Sequence, residues 1–342
     1  MIYSVSTVLQ GGIATALTNY RDSVKLQQYG IEFIASHVGK QRLTSACGAL
    51  SALFTKVQPG DIGWFHCASW VSISRKLLLI LAAKTKKAKI VVQFHSQGVE
   101  RILKYKSGLW LVNALLSQAD GVIVLTPWWL QYFSEKFPKH SHKMFVCPNP
   151  IDDDLAQAAA QPHHRTVPSP QVKLLAMSRL IAGKGFEQVL DTMAVLPQHY
   201  HLSIAGEGEL MGQLKAQAKL LGIEKRVDFL GWVDGQQKSQ VLADHQVFFL
   251  PSRNDAFGMG FVEAMAYGLP VVALNNQATP DVVLNGRTGV LCDTDTPQAL
   301  SEAIIHCTEH SQSMGAMGKQ HVLTAFDNET LVNDLIRFFD GL

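Results

Sequence analysis

Two cations and two acids lie beside glycines that would let backbone come close to a ligand. Arg179 and Lys184 are five residues apart in Ser178-Arg179-Leu180-Ile181-Ala182-Gly183-Lys184-Gly185-Phe186. That spacing lets both converge on one diphosphate, Arg forking to phosphate oxygens and Lys acting as a point charge. Asp255 and Glu263 bracket the Gly-rich turn Asp255-Ala256-Phe257-Gly258-Met259-Gly260-Phe261-Val262-Glu263. A loop acid and a first-turn acid so placed can accept hydroxyl hydrogen bonds from one polyol. His95 closes the apolar run Val91-Val92-Gln93-Phe94 ahead of Ser96-Gln97-Gly98, and His66 closes another. Gly11-Gly12-Ile13-Ala14 follows the first apolar run, where a glycine turn and free helix N–H groups suit an anion. A dinucleotide fingerprint is absent there, and Gly206-Glu207-Gly208 with Gly212 has the wrong spacing for one. The other histidines, among them His163 and His164, read as surface residues.

Positioning such groups takes a layered scaffold, and the pattern supplies one twice. Val-, Ile- and Phe-rich runs without polar alternation predict strands at 2–8, 31–35, 62–66, 90–95, 121–125 and 144–147. Helices are predicted between them at 14–28, 43–56, 72–84, 100–119 and 127–136. After Pro148-Asn149-Pro150, three aspartates, an alanine-rich patch and three further prolines, residues 151–170 read as a linker. Alternation then resumes, with strands predicted at 172–177, 201–205, 227–230, 247–250, 271–273 and 289–291. The second set of helices is predicted at 186–195, 209–221, 235–243, 260–267 and 297–307. Two doubly wound parallel-sheet domains follow, 1–150 and 171–325, with their ligand edges at the carboxyl ends of the strands. Facing edges would form a cleft.

The 342 residues are 47% hydrophobic and 17% charged, which excludes a disordered or low-complexity chain. Five scattered cysteines without Cys-x-x-Cys spacing speak against a disulfide framework or structural zinc and for a reducing compartment. The start lacks a basic leader, and the apolar run 77–83 is far short of the roughly 20 residues a membrane span needs. A cytoplasmic location is the expectation. Residues 1–150 hold 17 Lys and Arg against 6 Asp and Glu, whereas 151–342 hold 13 against 22. The basic half clusters Arg75, Lys76, Lys84, Lys86, Lys87 and Lys89, followed by Arg101, Lys104, Lys106 and Trp110. Cations beside aromatics suit an anionic membrane surface, on the inner face of the cytoplasmic membrane. No nucleic-acid module accompanies the charge, so nucleic acid is not an expected partner. The acidic run Asp152–Asp154 lies in the predicted linker, where charges are solvated, and no metal is assigned to it.

Arg179 and Lys184, the string Phe229-Leu230-Gly231-Trp232-Val233, and Asp255 to Glu263 running into Ala266-Tyr267-Gly268-Leu269-Pro270-Val271 together resemble glycosyltransferase family 4. These are retaining nucleotide-sugar glycosyltransferases of the GT-B fold, and the likeness is strongest over 172–291. The resemblance implies that Arg179 and Lys184 hold the donor diphosphate in place of a metal, with no cofactor. It implies that Glu263 binds the ribose, Asp255 the donor sugar, and Val233 the nucleobase. Gly11 and Gly12 would approach from the first domain, and Phe257 and Gly258 complete the donor contacts. His95 matches the family's active-site histidine, so the implied catalytic set is His95, Arg179, Lys184 and Asp255. The family usually carries Glu at the position of Asp255, one methylene longer. The acceptor implied is a glycan or lipid-linked hydroxyl in bacterial cell-surface polysaccharide synthesis. The C-terminal stretch 326–342 crosses back to the first domain in relatives. A nucleotide-sugar epimerase of the same fold and a non-catalytic nucleotide-sugar sensor are the alternatives.

Overall fold

Strands form where runs rich in Val, Ile and Phe are buried, several of them along their whole length, and helices alternate with them. The computed structural model describes residues 1–8, 12–38, 42–95, 98–162 and 171–342. The chain divides into two units: Met1–Pro150 with Phe326–Leu342, and Ile151–Ala325.

The first unit begins with β1 (Ile2–Val8), α1 (Gly12–Asp22), α2 (Val24–Tyr29), β2 (Ile31–Val38) and α3 (Arg42–Lys56). It continues through β3 (Ile62–Cys67), α4 (Trp70–Thr85), β4 (Lys89–Phe94), α5 (Gly98–Leu103) and α6 (Lys106–Gln118). β5 (Gly121–Val124), α7 (Pro127–Lys136) and β6 (Met144–Val146) complete it. All six strands are parallel, in the order β2-β1-β3-β4-β5-β6. Two predicted long helices are broken in two. Ser23 accepts from Leu26 N as the N-cap of α2, which restarts the helix. At Gly108 an added Cβ would lie 1.9 Å from Ile102 O, so α6 folds tightly back on α5 rather than continuing it.

The second unit opens with α8 (Asp153–Ala160), then β7 (Val172–Met177), α9 (Phe186–Val195), β8 (Tyr200–Ala205) and α10 (Met211–Leu220). Next come β9 (Val227–Gly231), α11 (Gly235–Asp244), β10 (Val247–Phe249), α12 (Met259–Ala266) and β11 (Val271–Leu274). α13 (Thr279–Val282), β12 (Gly289–Cys292), α14 (Pro297–Glu309) and α15 (Ser311–Ala325) follow. Its parallel sheet runs β12-β11-β10-β7-β8-β9. α16 (Asn328–Asp340) then returns to the first unit.

The predicted linker 151–170 needs correction over its first part. Asp152 caps α8 by accepting from Leu155 N at 2.8 Å, and Asp153 and Asp154 fill the helix's first turn. Lys319 on α15 donates to Ala158 O and Gln161 O, satisfying carbonyls at the other end of α8. The acidic run is thus helix-terminal chemistry in the second unit. Residues 163–170, with His163 and His164, lie outside the described residues.

α16 is held by its apolar face. Leu331, Val332, Leu335 and Phe339 are buried, and Phe339 meets Trp64 edge-on at 5.5 Å. Each such burial contributes about 1.5–3 kcal/mol. Lys25 bonds Glu329 and Asn333 at 2.6 and 3.0 Å, and Lys89 donates to Leu342 O at 2.7 Å. Among the described residues no helix is long and apolar enough to cross a membrane.

Candidate functional site

Both sheets reverse their winding once, and an open parallel sheet binds ligands at that reversal, beyond the carboxyl ends of its strands. In the second sheet the reversal separates β7 from β10, which are paired neighbours. The loops that follow them, 178–185 and 250–258, therefore run side by side, with Arg253 N donating to Gly183 O at 3.0 Å. Gly185 has φ +82°, and an added Cβ would stand 2.4 Å from Pro251 O, so only glycine permits this approach.

Lys184 is buried in that loop pair. Its Nζ donates to Asp255 Oδ1 at 2.6 Å and to Asn254 O at 2.9 Å. The sequence assigns these two side chains separate tasks on diphosphate and sugar; the structure joins them in one ion pair. Asp255 is the shorter acid, and the pairing fixes both groups instead of extending the carboxylate. Arg179 is exposed, and its guanidinium has no hydrogen bond or ion pair among the described residues. It is the cation of this loop that remains available.

Gly258 (φ +86°) turns the chain into α12, where an added Cβ would press on the Phe261 ring at 2.4 Å. Glu263 lies in the second turn of α12, not in its first as the sequence predicts. It is buried, and Lys238 on α11 donates to its Oε1 at 3.1 Å. Burial opposes the charge on Lys238, but the Glu263 carboxylate and its hydrogen bond outweigh it and raise the lysine's pKa. Sequence reasoning missed Lys238 altogether; a helical lysine 25 residues upstream of Glu263 carries no local signal. Val233, just past β9, and Phe257, just before the glycine turn, are both buried.

In the first sheet the reversal lies between β1 and β3. Gly12 opens α1, and Gly11 lies outside the described residues. His95 follows β4 directly and is buried. Its Nε2 meets His66 Nδ1 at 2.8 Å, and His66 Nε2 meets Ser4 Oγ at 2.9 Å. Burial lowers the His95 pKa to about 3. His66 is also pushed well down, first by burial and then by His95 and Lys76.

The basic cluster of the first unit separates into two sets. Lys76 is fully buried and donates to Ser36 Oγ at 2.6 Å, and burial brings its pKa down to about 7. Lys84 donates to Gln118 O at 2.9 Å near the carboxyl end of α6, and Lys89 holds Leu342 O. Lys76 is therefore corrected from a surface to a buried cation, whereas Lys84 and Lys89 stay exposed while holding backbone carbonyls. Lys87, Arg101, Lys104 and Lys106 are exposed. On the same unit Val71, Leu78 and Leu81 of α4 and Trp110 of α6 are exposed too.

Family models match both units. The family described as Glycosyl transferases group 1 matches residues 160–321, and Glycosyltransferase Family 4 matches 18–155. Mannosylfructose-phosphate synthase of Agrobacterium fabrum is 25% identical over 240 residues, 65% of this chain and 53% of its own. D-rhamnosyltransferase WbpZ of Pseudomonas aeruginosa is 29% identical over 237 residues, 67% of this chain and 60% of its own. The chain thus spans little more than half the length of these two relatives. The crystal structure of Anabaena HepE in complex with UDP and glucose superposes with a TM-score of 0.78 at 19% identity, over 100% of this chain and 99% of that one. Two six-stranded parallel sheets of this topology, and family matches that together run from 18 to 321, place the chain in glycosyltransferase family 4, with the GT-B fold.

Proposed function

We propose that this chain transfers a glycosyl group from a UDP- or GDP-linked sugar to an acceptor hydroxyl, with retention of anomeric configuration and without a metal. The observation that carries the proposal is the grouping at the β7/β10 reversal: exposed Arg179, the Lys184–Asp255 pair and buried Glu263. Arg179 and the N-terminus of α12 supply positive potential for a departing diphosphate, the role a metal plays elsewhere. Glu263, steadied by Lys238, suits ribose hydroxyls. Val233 and Phe257 suit the base and the donor's apolar faces. UDP and glucose in the HepE crystal support the same donor class.

The acceptor oxygen attacks the anomeric carbon from the side on which the diphosphate leaves. The bond from that carbon to the phosphate oxygen breaks, and that oxygen takes the acceptor proton. No protein nucleophile is required. Both carboxylates of the site are ion-paired with lysines, which favours transfer over epimerisation, because epimerisation needs a free acid–base carboxyl. The test is incubation with UDP- and GDP-sugars in EDTA, with and without glycan or polyprenyl-linked acceptors. Acceptor-dependent release of nucleoside diphosphate, with the donor's configuration kept in the product, supports the proposal. Donor isomerisation without acceptor, inversion, or an absolute need for metal contradicts it.

A lipid-linked acceptor in cell-surface polysaccharide synthesis fits the first unit, whose exposed α4 and α6 side chains combine apolar groups with Lys87, Arg101, Lys104 and Lys106. Sedimentation with anionic vesicles should be weakened by salt and by Leu78→Glu. Equal binding to neutral vesicles would remove the electrostatic part of this proposal.

A further inference from the structure

Three buried polar side chains cross the first unit's winding reversal in a line. Ser4 lies on β1, His66 on β3, and His95 just beyond β4. The contacts are Ser4 Oγ to His66 Nε2 at 2.9 Å and His66 Nδ1 to His95 Nε2 at 2.8 Å. His95 Nδ1 is buried and has no hydrogen-bond partner among the described residues. Trp64 packs on His66 with ring centroids 4.5 Å apart and is itself backed by Phe339 of α16, so the rings are held in place.

Burial keeps both imidazoles neutral, so each has one N–H and one lone pair. Only two proton arrangements then connect the line. In one, His95 Nε2–H donates to His66 Nδ1 and His66 Nε2–H donates to Ser4 Oγ. The Ser4 hydroxyl proton, fully buried, is then left with no acceptor among the described residues, and the His95 Nδ1 lone pair is orphaned as well. In the other, Ser4 O–H donates to His66 Nε2 and His66 Nδ1–H donates to His95 Nε2. A single orphan remains, the His95 Nδ1–H. Unsatisfied buried polar groups are costly, so the second arrangement is the stable one.

We propose that Ser4 and His66 are positioning residues that lock His95 as its Nδ1–H tautomer, making it a hydrogen-bond donor to a sugar or acceptor oxygen and not a proton acceptor. The consequence for the reaction rests on the glycosyl-transfer proposal; the tautomer does not. With Nδ1 already protonated, the acceptor's proton cannot pass to that atom, which agrees with its transfer to the departing diphosphate oxygen.

The test is the two-bond ¹H–¹⁵N imidazole spectrum of the full chain at neutral pH, with His66 and His95 assigned from His66→Asn and His95→Asn. Both histidines are expected in the Nδ1–H form. An Nε2–H or imidazolium signal for either overturns the proposal, whether or not the protein proves to be a transferase. As a second readout, His66→Leu should convert the His95 signal toward the Nε2–H form and lower kcat about tenfold, with nucleotide affinity unchanged. His66→Asn, which keeps an N–H close to the position of Nδ1–H, should recover most of that loss. Equal kcat losses in the two variants would also contradict it. Should His66→Leu fail to fold, the wild-type spectrum still decides.

Discussion

The two units use the same topological feature with opposite chemistry. At the reversal of the first sheet stands a neutral line, Ser4–His66–His95, joined by hydrogen bonds and sealed by Trp64. At the reversal of the second stands charge: the Lys184–Asp255 pair, Glu263 with Lys238 close by, and exposed Arg179. The difference follows from what each side would meet in the proposed reaction. Hydroxyls call for donors and acceptors of fixed direction, whereas a diphosphate calls for compensated positive charge.

The comparison is broken most sharply at Arg179. Because its guanidinium supports no described contact, Arg179→Ala should leave thermal stability within about 0.5 kcal/mol. It should nonetheless lower kcat/KM about 100- to 1000-fold, the typical loss of one group that stabilises developing charge. Steady-state kinetics beside a melting curve checks both halves. Glu263→Gln comes next. It leaves the partly buried Lys238 without its anion and should cost about 1–3 kcal/mol of stability in chemical denaturation. Adding Lys238→Met to Glu263→Gln should recover stability but not nucleotide affinity, which separates the scaffold role of the pair from its ligand role.

The neutral line makes the first unit acid-sensitive. His95 has a folded pKa of about 3, whereas an unfolded histidine titrates near 6.5. Between those values the unfolded chain binds more protons, so this contribution is fully present above pH 6.5 and is lost as the pH falls toward 3. The loss from this one group is about 1.4 kcal/mol by pH 5.5. Denaturant melts at pH 7.5 and 5.5 should show it, and His95→Asn should reduce the difference. Smallest is Lys76→Met. A fully buried ammonium with one hydrogen-bond partner among the described residues, Ser36, is costly to keep charged. The substitution should therefore raise stability by about 1 kcal/mol at pH 7, despite leaving Ser36 one bond short.

Most of the fold was legible in the sequence because the strands are short, mostly apolar runs, with β3, β5, β10 and β11 buried along their whole length, and both sheets are parallel. What escaped was local and weakly patterned. α8 begins in an acidic run between prolines, and α15 interrupts its apolar face with Gly315 and Gly318. The breaks at Ser23 and at residues 104–105 go with a cap and with the close backbone approach at Gly108, which periodicity does not register. For the site, His66, His95, Arg179, Lys184, Asp255 and Glu263 could be picked out as candidates, but Ser4, Lys238 and the partnerships could not. Ser4 with His66, Lys184 with Asp255 and Lys238 with Glu263 are 62, 71 and 25 residues apart, and strand order alone brings them together. The pairing of Lys184 with Asp255 is the plainest case, since two residues given separate ligand tasks neutralise each other.

The central claim is that the second unit holds a nucleoside diphosphate through its own cations and not through a metal. It is tested most directly by calorimetric titration of the full chain with UDP and with GDP in EDTA. Saturable one-site binding of one of them, weakened at least tenfold in Arg179→Ala and unaffected by added Mg²⁺, is the predicted result. Absence of binding to both nucleotides, or binding that appears only with a divalent metal, would contradict it.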